Sequence, residues 1–328
     1  VTRSLRAWAE TWPLARPFAI SRGTKTQAHV IVCAVEGDGG IGRGECVPYG
    51  RYGENAGSVL ASIREAAPAI AAGIDRPALL ALFPAGAARN ALDCALLDWE
   101  AKVQGRPAWD IVGLPAPSQQ TTAETVALDD TEGMARAARL VSDRPLLKVK
   151  VGRDAVIARV AAVRRAAPHA RLLVDANEAW DRLTLDAVCQ PLADLGVEMI
   201  EQPLPAAEDG DLAGYRGPVP LCADESFHTA ADLERLKPLY QIMNIKLDKA
   251  GGLTAALALA RTVRTLGLDV MIGCMVATSL AIAPALLLGT LATVIDVDGP
   301  LWLARDRVPG LSFHAGRIDP PPAPPPAS

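Results

Sequence analysis

The spacing of apolar residues changes along the chain. Up to about residue 60, apolar and β-branched residues form continuous runs such as 28–35, which are typical of buried strands. From 58 to 105 the apolar positions instead recur every three or four residues, as on one face of a helix. We therefore predict a few strands followed by helices in the first third of the chain.

Beyond the segment Gly113-Leu-Pro115, short strand-like runs alternate with helical runs. Strands that recur about every 20–30 residues with helices between them indicate a parallel sheet with crossover helices. Eight such units predict a closed α/β barrel, and a doubly wound open sheet is the structural alternative. The eight strand candidates are 122–128, 146–151, 172–175, 198–201, 221–224, 242–247, 270–274 and 293–298.

Two segments have a second interpretation. Residues 270–295 carry no charge and are long enough to span a bilayer, but Gly273, Pro284 and Gly289 interrupt them, which favours a buried strand, helix and strand. Residues 37–42 match the dinucleotide pattern G-x-G-x-x-G, but a Gly and a Pro follow where a helix is needed. The Asp-Gly pair predicts a hairpin there instead.

Composition and charge exclude several classes of function. The 328 residues carry a net charge of -4, which argues against a nucleic-acid partner. The six cysteines form no C-x-x-C pair, so we expect buried free thiols rather than a zinc ribbon. The N-terminus lacks an apolar signal core, and a cytoplasmic location is the expectation. The proline-rich end, 320–328, predicts an extended tail, with a ligand for a proline-binding module as the alternative.

Lys148 and Lys150 alternate with valines in the second barrel strand. A period of two places both lysines on one face, and in a barrel strand that face is the interior. Buried lysines are rare unless they are used. The alternative is an exposed edge strand whose lysines reach solvent.

Asp175, Glu201 and Asp224 end the next three strands, at the face where barrel active sites lie. Neighbouring strands lie about 5 Å apart, and two carboxylates at that distance repel by about 3–4 kcal/mol at an effective dielectric near 20. We therefore predict a bound cation, and the all-oxygen ligands favour Mg²⁺, with Mn²⁺ as the alternative. Without a metal, the three residues would be N-caps of the following helices.

Lys246 ends the sixth strand, opposite Lys150 across the barrel. A substrate carboxylate on the metal would place its α-carbon between the two amines. One lysine then removes the α-proton, the metal stabilises the enediolate, and the other lysine returns a proton to the opposite face. This arrangement predicts racemisation or epimerisation, with the lysine pKa lowered by Lys148 and the metal.

These features resemble the enolase superfamily, muconate-lactonizing subgroup. The resemblance implies a (β/α)7β (TIM-like) barrel at 116–300 under an α+β capping domain formed by 1–115 with 301–328. It implies Mg²⁺ on the three carboxylates, the two lysines as the acid–base pair, and Lys148 as a contact of the substrate carboxylate. The motifs are Lys148-Val-Lys150, Asp175-Ala-Asn177, Glu201-Gln-Pro203, Asp224-Glu-Ser226, Asn244-Ile-Lys246 with Gly251-Gly252, and the helix 92–98 with Gly105-Arg-Pro107.

The eighth strand separates the members of this subgroup. Asp296 and Asp298 resemble the Asp-x-Asp signature of dipeptide epimerases, and two carboxylates on one strand face suit a substrate ammonium group. The alternative for this pair is a helix cap or a surface pair. Segment 46–54 resembles the bacterial L-Ala-D/L-Glu epimerases. By resemblance, Arg22 would hold a second substrate carboxylate, while Thr125 and Cys274 would contact the substrate.

The sequence therefore predicts an isomerase, a Mg²⁺-dependent epimerase of small dipeptides, with L-Ala-Glu from cell-wall peptides as the expected substrate. The nearest alternatives are an N-acylamino-acid racemase or an o-succinylbenzoate synthase on the same scaffold. A non-catalytic peptide- or metal-binding protein and a Schiff-base lyase are alternatives of other classes. Homo-oligomers are common for such barrels. Asp248 and Lys249 follow Lys246 closely and receive no role.

Overall fold

The computed structural model describes residues 3–320, which form three sheets and the helices around them. The first sheet is antiparallel and contains β1 (Ser4–Ile20), β2 (Gly23–Gly37) and β3 (Gly40–Cys46). Asp38 and Gly39 connect β2 to β3 with φ angles of 51° and 77°, the left-handed backbone that tight hairpin turns require. The hairpin prediction is confirmed, and the dinucleotide-loop alternative is wrong.

Five helices follow this sheet, as the spacing of apolar residues predicts. The longest packs directly onto β3, where a Cβ atom on Gly44 would lie 2.0 Å from the Ala91 carbonyl oxygen and one on Gly42 would lie 2.1 Å from the Ala95 carbonyl oxygen. Both positions therefore require glycine. The helices are α1 (Ala56–Glu65), α2 (Ala67–Ala71), α3 (Arg76–Leu82), α4 (Ala87–Gln104) and α5 (Ala108–Ile111).

The second sheet is a parallel barrel of eight strands that neighbour one another in chain order. A short strand, β4 (Gln120–Thr121), precedes it. The Ala123 amide donates to the Ile295 carbonyl at 2.7 Å, so the first and last strands meet and the sheet is nearly closed. The barrel prediction is confirmed, and the open doubly wound sheet is wrong. The strands are β5 (Glu124–Val126), β6 (Leu146–Lys150), β7 (Arg171–Asp175), β8 (Val197–Glu201), β9 (Leu221–Ala223), β10 (Ile242–Ile245), β11 (Asp269–Gly273) and β12 (Val294–Asp296).

Helices connect most barrel strands. The connection between β8 and β9 is an exception, because it contains a 3-10 segment, Ala206–Leu212, and no α-helix. The uncharged segment 270–295 forms β11, a helix and β12, as predicted. None of the helices within residues 3–320 combines the length and the apolar composition that a membrane span requires. The helices are α6 (Thr131–Leu140), α7 (Val156–Ala166), α8 (Arg182–Asp194), α9 (Leu233–Leu236), α10 (Leu247–Ala250), α11 (Leu253–Thr265) and α12 (Ser279–Leu286).

The third sheet joins the C-terminal region to the start of the barrel segment. Strands β13 (Phe313–His314) and β14 (Arg317–Ile318) form a hairpin that pairs with β4. The Ala304 amide also donates to the Pro13 carbonyl on β1 at 2.8 Å. The division into a cap of 1–115 with 301–328 and a barrel of 116–300 stays a prediction. The predicted tail beyond residue 320 lies outside the described residues.

Two layers of side chains fill the barrel interior. The lower layer is apolar. It contains one residue for each of the eight strands, with Ala123 directly before β5: Ala123, Leu146, Leu173, Met199, Cys222, Ile242, Met271 and Val294. Because side chains alternate along a strand, the interior position two residues further on forms the next layer. That layer contains Thr125, Lys148, Asp175, Glu201, Asp224, Asn244, Gly273 and Asp296. Lys148 and Lys150 are therefore interior residues, as predicted, and not part of an exposed edge strand.

Candidate active site

A cavity of about 300 Å³ opens above the polar layer, at the carboxyl ends of the strands. The tip of the β1–β2 hairpin and the segment that contains Tyr49 and Tyr52 form its outer wall. Nine predicted site residues line the cavity: Lys148, Lys150, Lys246, Asp224, Asp296, Asp298, Arg22, Thr125 and Cys274. Asp175 and Glu201 are fully buried in the polar layer among these residues. The structure thus brings together all the residues that the sequence singled out.

Lys148 joins the carboxylates of three strands. Its Nζ lies 3.0 Å from Asp175 Oδ2, 2.7 Å from Glu201 Oε2 and 2.7 Å from Asp296 Oδ2. Burial lowers the pKa of Lys148, but the charges of Asp175, Asp296 and Glu201 outweigh burial and raise this pKa well above its ordinary value. The carboxylate cluster therefore favours the charged form of Lys148.

Lys150 and Lys246 enter the cavity from opposite sides of the barrel, because β6 and β10 are separated by three strands in either direction. Lys150 Nζ lies 2.6 Å from Asp175 Oδ2, and Lys246 Nζ lies 2.6 Å from Asp224 Oδ2. Burial lowers the pKa of Lys246, but Asp224 and Glu201 raise it well above the ordinary value. Lys148 lowers this pKa, as the sequence predicts, but its effect is smaller than that of the two carboxylates. The lowering by a metal ion stays a prediction.

The three predicted metal ligands are buried at the ends of adjacent strands. Asp175 and Glu201 are direct neighbours in the sheet, and Asp224 follows β9. Burial and then the charge of Asp175 raise the pKa of Glu201 to about 8. Burial raises the pKa of Asp175, but Lys148 and Lys150 outweigh it and hold this pKa well below its ordinary value. One cation of the right charge would relieve the repulsion among these groups.

The N-cap alternative for these carboxylates does not match the helices that follow. Helix α8, which comes after Asp175, is capped by Asp181, whose side chain accepts from the Thr184 amide at 2.8 Å. Helix α9, after Asp224, has Asp232 at its N-cap position. The three strand-end carboxylates contact lysines instead.

The donor set suits a hard divalent cation. Across residues 3–320, no three His, Cys, Asp or Glu side chains are grouped closely enough to hold a metal ion as placed, and the lysine ammonium groups lie against the carboxylates. Glu201 Oε2 is buried with no hydrogen bond, although it forms an ion pair with Lys148 at 2.7 Å. Three buried carboxylates, one of which has an oxygen without a hydrogen bond, fit Mg²⁺ better than zinc.

Sequence reasoning missed a second cation on Asp224. Lys249 Nζ lies 2.6 Å from Asp224 Oδ1 and 3.1 Å from the Asn244 carbonyl oxygen. The Asn244 side chain donates to Glu201 Oε1 at 2.8 Å and so orients that carboxylate. Lys249 lies one helical turn after Lys246, and that spacing was the available signal.

Asp296 and Asp298 present acceptor oxygens to the cavity. Asp296 Oδ1 is buried and has no hydrogen-bond partner among residues 3–320. Asp298 Oδ2 accepts from the Thr125 amide at 2.7 Å and from the Trp302 indole at 3.2 Å. Burial, and then the charge of Asp296, raise the pKa of Asp298 to about 6. A cationic group in the cavity would stabilise both carboxylates in their charged form.

Arg22 is already engaged within the chain. Its Nη2 donates to Glu225 Oε1 at 2.6 Å, while its Nη1 donates to the Asn177 carbonyl at 2.8 Å and to Glu178 Oε2 at 3.1 Å. These contacts attach the hairpin tip to the barrel. Lys25, which sequence reasoning missed, also lines the cavity, with its Nζ 5.0 Å from the centre of the Tyr49 ring.

Thr125 and Cys274 line the cavity without a direct part in the charged cluster. Thr125 contributes its backbone amide to Asp298 and is buried. Cys274 is half-buried, and burial raises the pKa of its thiol, so the thiol is neutral at ordinary pH. All six cysteines are free, five of them buried, as predicted.

Two family models match the chain. Residues 2–113 match the model of the mandelate racemase / muconate lactonizing enzyme N-terminal domain. Residues 133–324 match the model described as enolase C-terminal domain-like. The chain belongs to the enolase superfamily.

Curated relatives of this enolase superfamily member are epimerases and racemases. It is 47% identical over 318 residues to the L-Ala-D/L-Glu epimerase of Escherichia coli (strain K12), covering 96% of this chain and 99% of that protein. It is 42% identical over 281 residues to the N-acetyl-D-glutamate racemase of a Pseudoalteromonas species, covering 85% of this chain and 89% of that protein.

Solved structures of superfamily members share the whole fold. An Agrobacterium tumefaciens enolase family member with homology to dipeptide epimerases, bound to sodium and L-Ala-L-Glu with an ordered loop, has a TM-score of 0.95 and 45% identity over 98% of both chains. A dipeptide epimerase from Enterococcus faecalis V583, complexed with Mg and L-Leu-L-Tyr, has a TM-score of 0.90 and 29% identity, covering 99% of this chain and 98% of that chain.

Proposed function

We propose that this superfamily member is a Mg²⁺-dependent dipeptide epimerase that interconverts L-Ala-L-Glu and L-Ala-D-Glu. The observation that carries the proposal is the pair of lysines, Lys150 and Lys246, on opposite sides of one cavity. A single base suffices to exchange a proton without inversion, whereas two bases on opposite faces invert the carbon between them. The relationship to the epimerase of Escherichia coli supports the same conclusion.

The two lysines move the protons. In one direction Lys150 takes the α-proton from one face of the substrate, and Lys246 gives a proton to the opposite face. In the other direction the roles exchange, so each lysine must alternate between its neutral and charged forms. Asp175, Glu201 and Asp224 would hold Mg²⁺, which when bound supplies charge stabilisation for the carboxylate side of the substrate as its α-proton leaves. Lys148 supplies further positive charge beside these ligands.

Asp296 and Asp298 favour a dipeptide over an N-acyl amino acid. A dipeptide carries a free ammonium group, and the buried Asp296 Oδ1 is an acceptor without a hydrogen bond in the described structure. An N-acyl amino acid has no cation to offer these carboxylates, so binding it would leave buried negative charge uncompensated. The dipeptide bound to the Agrobacterium tumefaciens relative supports this choice.

Lys25 and Arg22 favour an acidic side chain at the epimerised residue. Arg22 gives the hairpin tip its position through Glu225 and Glu178. Lys25 lines the same wall, where its Nζ lies over the Tyr49 ring, 5.0 Å from the ring centre. We propose that Lys25 contacts the substrate side-chain carboxylate directly and that Arg22, predicted for that role, adds positive charge while it holds the loop. Cell-wall peptides as the source of substrate and a cytoplasmic location belong to the same proposal.

The second candidate function is racemisation of N-acylamino acids, because the Pseudoalteromonas relative is an N-acetyl-D-glutamate racemase. Proton NMR in D₂O with Mg²⁺ separates the two candidates. We expect loss of the Glu α-proton signal of L-Ala-L-Glu together with growth of L-Ala-D-Glu, and much slower exchange of N-acetyl-D-glutamate. Exchange confined to N-acetyl-D-glutamate would establish the second candidate. Exchange in neither would favour a non-catalytic binding protein.

A further inference from the structure

Lys246 lies just outside its strand. Strand β10 ends at Ile245, and Lys246 is the N-cap of the four-residue helix α10. The amides of Lys249 and Ala250 both donate to the Lys246 carbonyl at 3.0 Å. Lys150 differs, because it lies within β6 and pairs with Asp175 of β7. The sheet therefore fixes the backbone of Lys150, while the backbone of Lys246 depends on the turn that follows it.

Asp248 ties that turn to the N-terminal region. Its Oδ1 accepts from the Asn90 side-chain amide at 2.8 Å and from the Val47 backbone amide at 3.1 Å. Asn90 lies on α4, and Val47 follows β3. Burial raises the pKa of Asp248 to about 7, and the charges of Glu54 and Glu45 act in the same direction. Burying a carboxylate whose two hydrogen-bond donors are neutral costs free energy. We therefore expect Asp248 to have a role that offsets this cost, and the turn offers one.

The turn is also held from the barrel side. Lys249 Nζ contacts the backbone carbonyl of Asp224 at 2.5 Å and its Oδ1 at 2.6 Å. Residues 248 and 249 thus fix one turn from two directions, and the segment that begins at Val47 continues to Tyr49 and Tyr52 in the cavity wall. A link through Asp248 therefore connects the outer wall of the cavity to the backbone of Lys246.

We infer that Asp248 is a positioning residue for Lys246, which sets that lysine on its face of the substrate. The inference rests on the proposed two-lysine function. It predicts an asymmetric effect, because Lys150 does not depend on the same turn. A residue that supports the fold alone would affect proton transfer on both faces alike.

The test measures α-proton exchange in D₂O separately from L-Ala-L-Glu and from L-Ala-D-Glu. Lys246→Ala identifies the epimer whose proton Lys246 removes. We expect Asp248→Ala to slow exchange of that epimer by about tenfold or more, since small misplacement of a reacting group is costly, and to change the other epimer less than about threefold. Asp248→Asn should recover most of the loss, because its amide oxygen can accept the same two hydrogen bonds.

Asn90→Ala breaks the same link from the other side and should give the same asymmetry, which keeps the test valid even when Asp248→Ala folds poorly. Asp93→Ala is the matched control: Asp93 is a buried carboxylate on the same helix, but it accepts from the Thr254 amide at 2.9 Å, beyond the Lys246 turn. Equal slowing of both epimers by Asp248→Ala and Asn90→Ala, or no slowing, would overturn the inference while leaving the proposed function intact. Failure of the wild-type enzyme to exchange either epimer would overturn both.

Discussion

The two interior layers of the barrel differ by two residues along each strand. Leu173 and Asp175 are 1% and 0% exposed, and Met199 and Glu201 are 1% and 0% exposed, so burial does not distinguish the layers. The lower layer is stabilised by removing apolar surface from water. The upper layer instead places charges where little water reaches them, which costs free energy unless they are paired. The interior face of each strand therefore contributes one residue to a layer that stabilises the fold and another to a layer of functional groups.

Charge pairing makes the upper layer tolerable. Ion pairs connect its four carboxylates, at Asp175, Glu201, Asp224 and Asp296, to four ammonium groups, at Lys148, Lys150, Lys246 and Lys249. The same pairing raises the pKa of Lys148 and of Lys246 well above the ordinary value, and a base must be neutral. A divalent cation on the carboxylates would therefore serve catalysis by taking over their negative charge.

The largest expected effect is on the upper layer. Glu201→Gln removes a predicted metal ligand, and we expect kcat/KM for L-Ala-L-Glu to fall by about 10³-fold or more, about 4 kcal/mol of transition-state stabilisation. The free energy of unfolding should stay level or rise, because burial disfavours the charged carboxyl whose pKa is raised to about 8. Epimerisation kinetics and guanidinium unfolding check both parts. A large loss of stability with activity retained would contradict the division into layers.

The matched change in the lower layer is Met199→Ala, two residues earlier on the same strand. It leaves a cavity in the apolar layer, and we expect the free energy of unfolding to fall by about 2–5 kcal/mol. The folded enzyme should keep kcat within a few-fold of the wild type, because no charged group moves. Denaturant unfolding and kinetics at low temperature measure the two effects. If Met199→Ala lowered kcat without lowering the free energy of unfolding, the division into a stabilising layer and a functional layer would be wrong.

A smaller effect is expected at the eighth strand. Asp296→Asn with Asp298→Asn removes both carboxylates that are proposed to bind the substrate ammonium group, and kcat/KM for L-Ala-L-Glu should fall by about 10²-fold. Any racemisation of N-acetyl-glutamate should be unchanged or faster, since that substrate has no ammonium group. Competition between the two substrates in one NMR tube measures the ratio. Equal loss for both would show that the pair acts on the site and not on the ammonium group.

The smallest expected effect lies outside the barrel, in the hairpin tip. Lys25→Met should lower kcat/KM for L-Ala-L-Glu by about fivefold, through KM, because a solvent-exposed ion pair contributes about 1 kcal/mol. The neutral analogue L-Ala-L-Gln should be unaffected. Arg22→Met is the control. It loosens the whole hairpin tip and should lower kcat/KM for both dipeptides alike. If Arg22→Met lowered kcat/KM for L-Ala-L-Glu alone and Lys25→Met lowered it for both dipeptides, Arg22 and not Lys25 would contact the substrate side-chain carboxylate.

Local patterns made much of this site predictable. The interior position of Lys148 and Lys150 follows from the period of two, and the grouping of Asp175, Glu201 and Asp224 follows from strand ends that meet at one edge. These inferences need only the strand assignment. Strands β7 and β8 end where they are predicted to end. The other six predicted strands extend past the observed ends by one or two residues at the cavity side, as in β9, which ends at Ala223, because the backbone leaves the sheet there to form the site.

Contacts between distant segments were not predictable. Asn90 and Asp248 are 158 residues apart, and Arg22 and Glu225 are 203 residues apart. No periodicity records which loop side chain reaches which partner. The raised pKa of Lys246 was not predictable for the same reason, since it depends on how close Asp224 lies in space. The sequence identifies the chemical groups, and the fold decides which of them are paired.

The most direct test of the two-lysine account is deuterium exchange from each epimer of L-Ala-Glu in Lys150→Ala and Lys246→Ala. Neither variant should epimerise. The account predicts complementary losses: one variant loses α-proton exchange from the L,L-dipeptide and keeps it from the L,D-dipeptide, and the other variant shows the reverse. Loss of exchange from the same epimer in both variants would contradict the placement of the two lysines on opposite faces of the substrate.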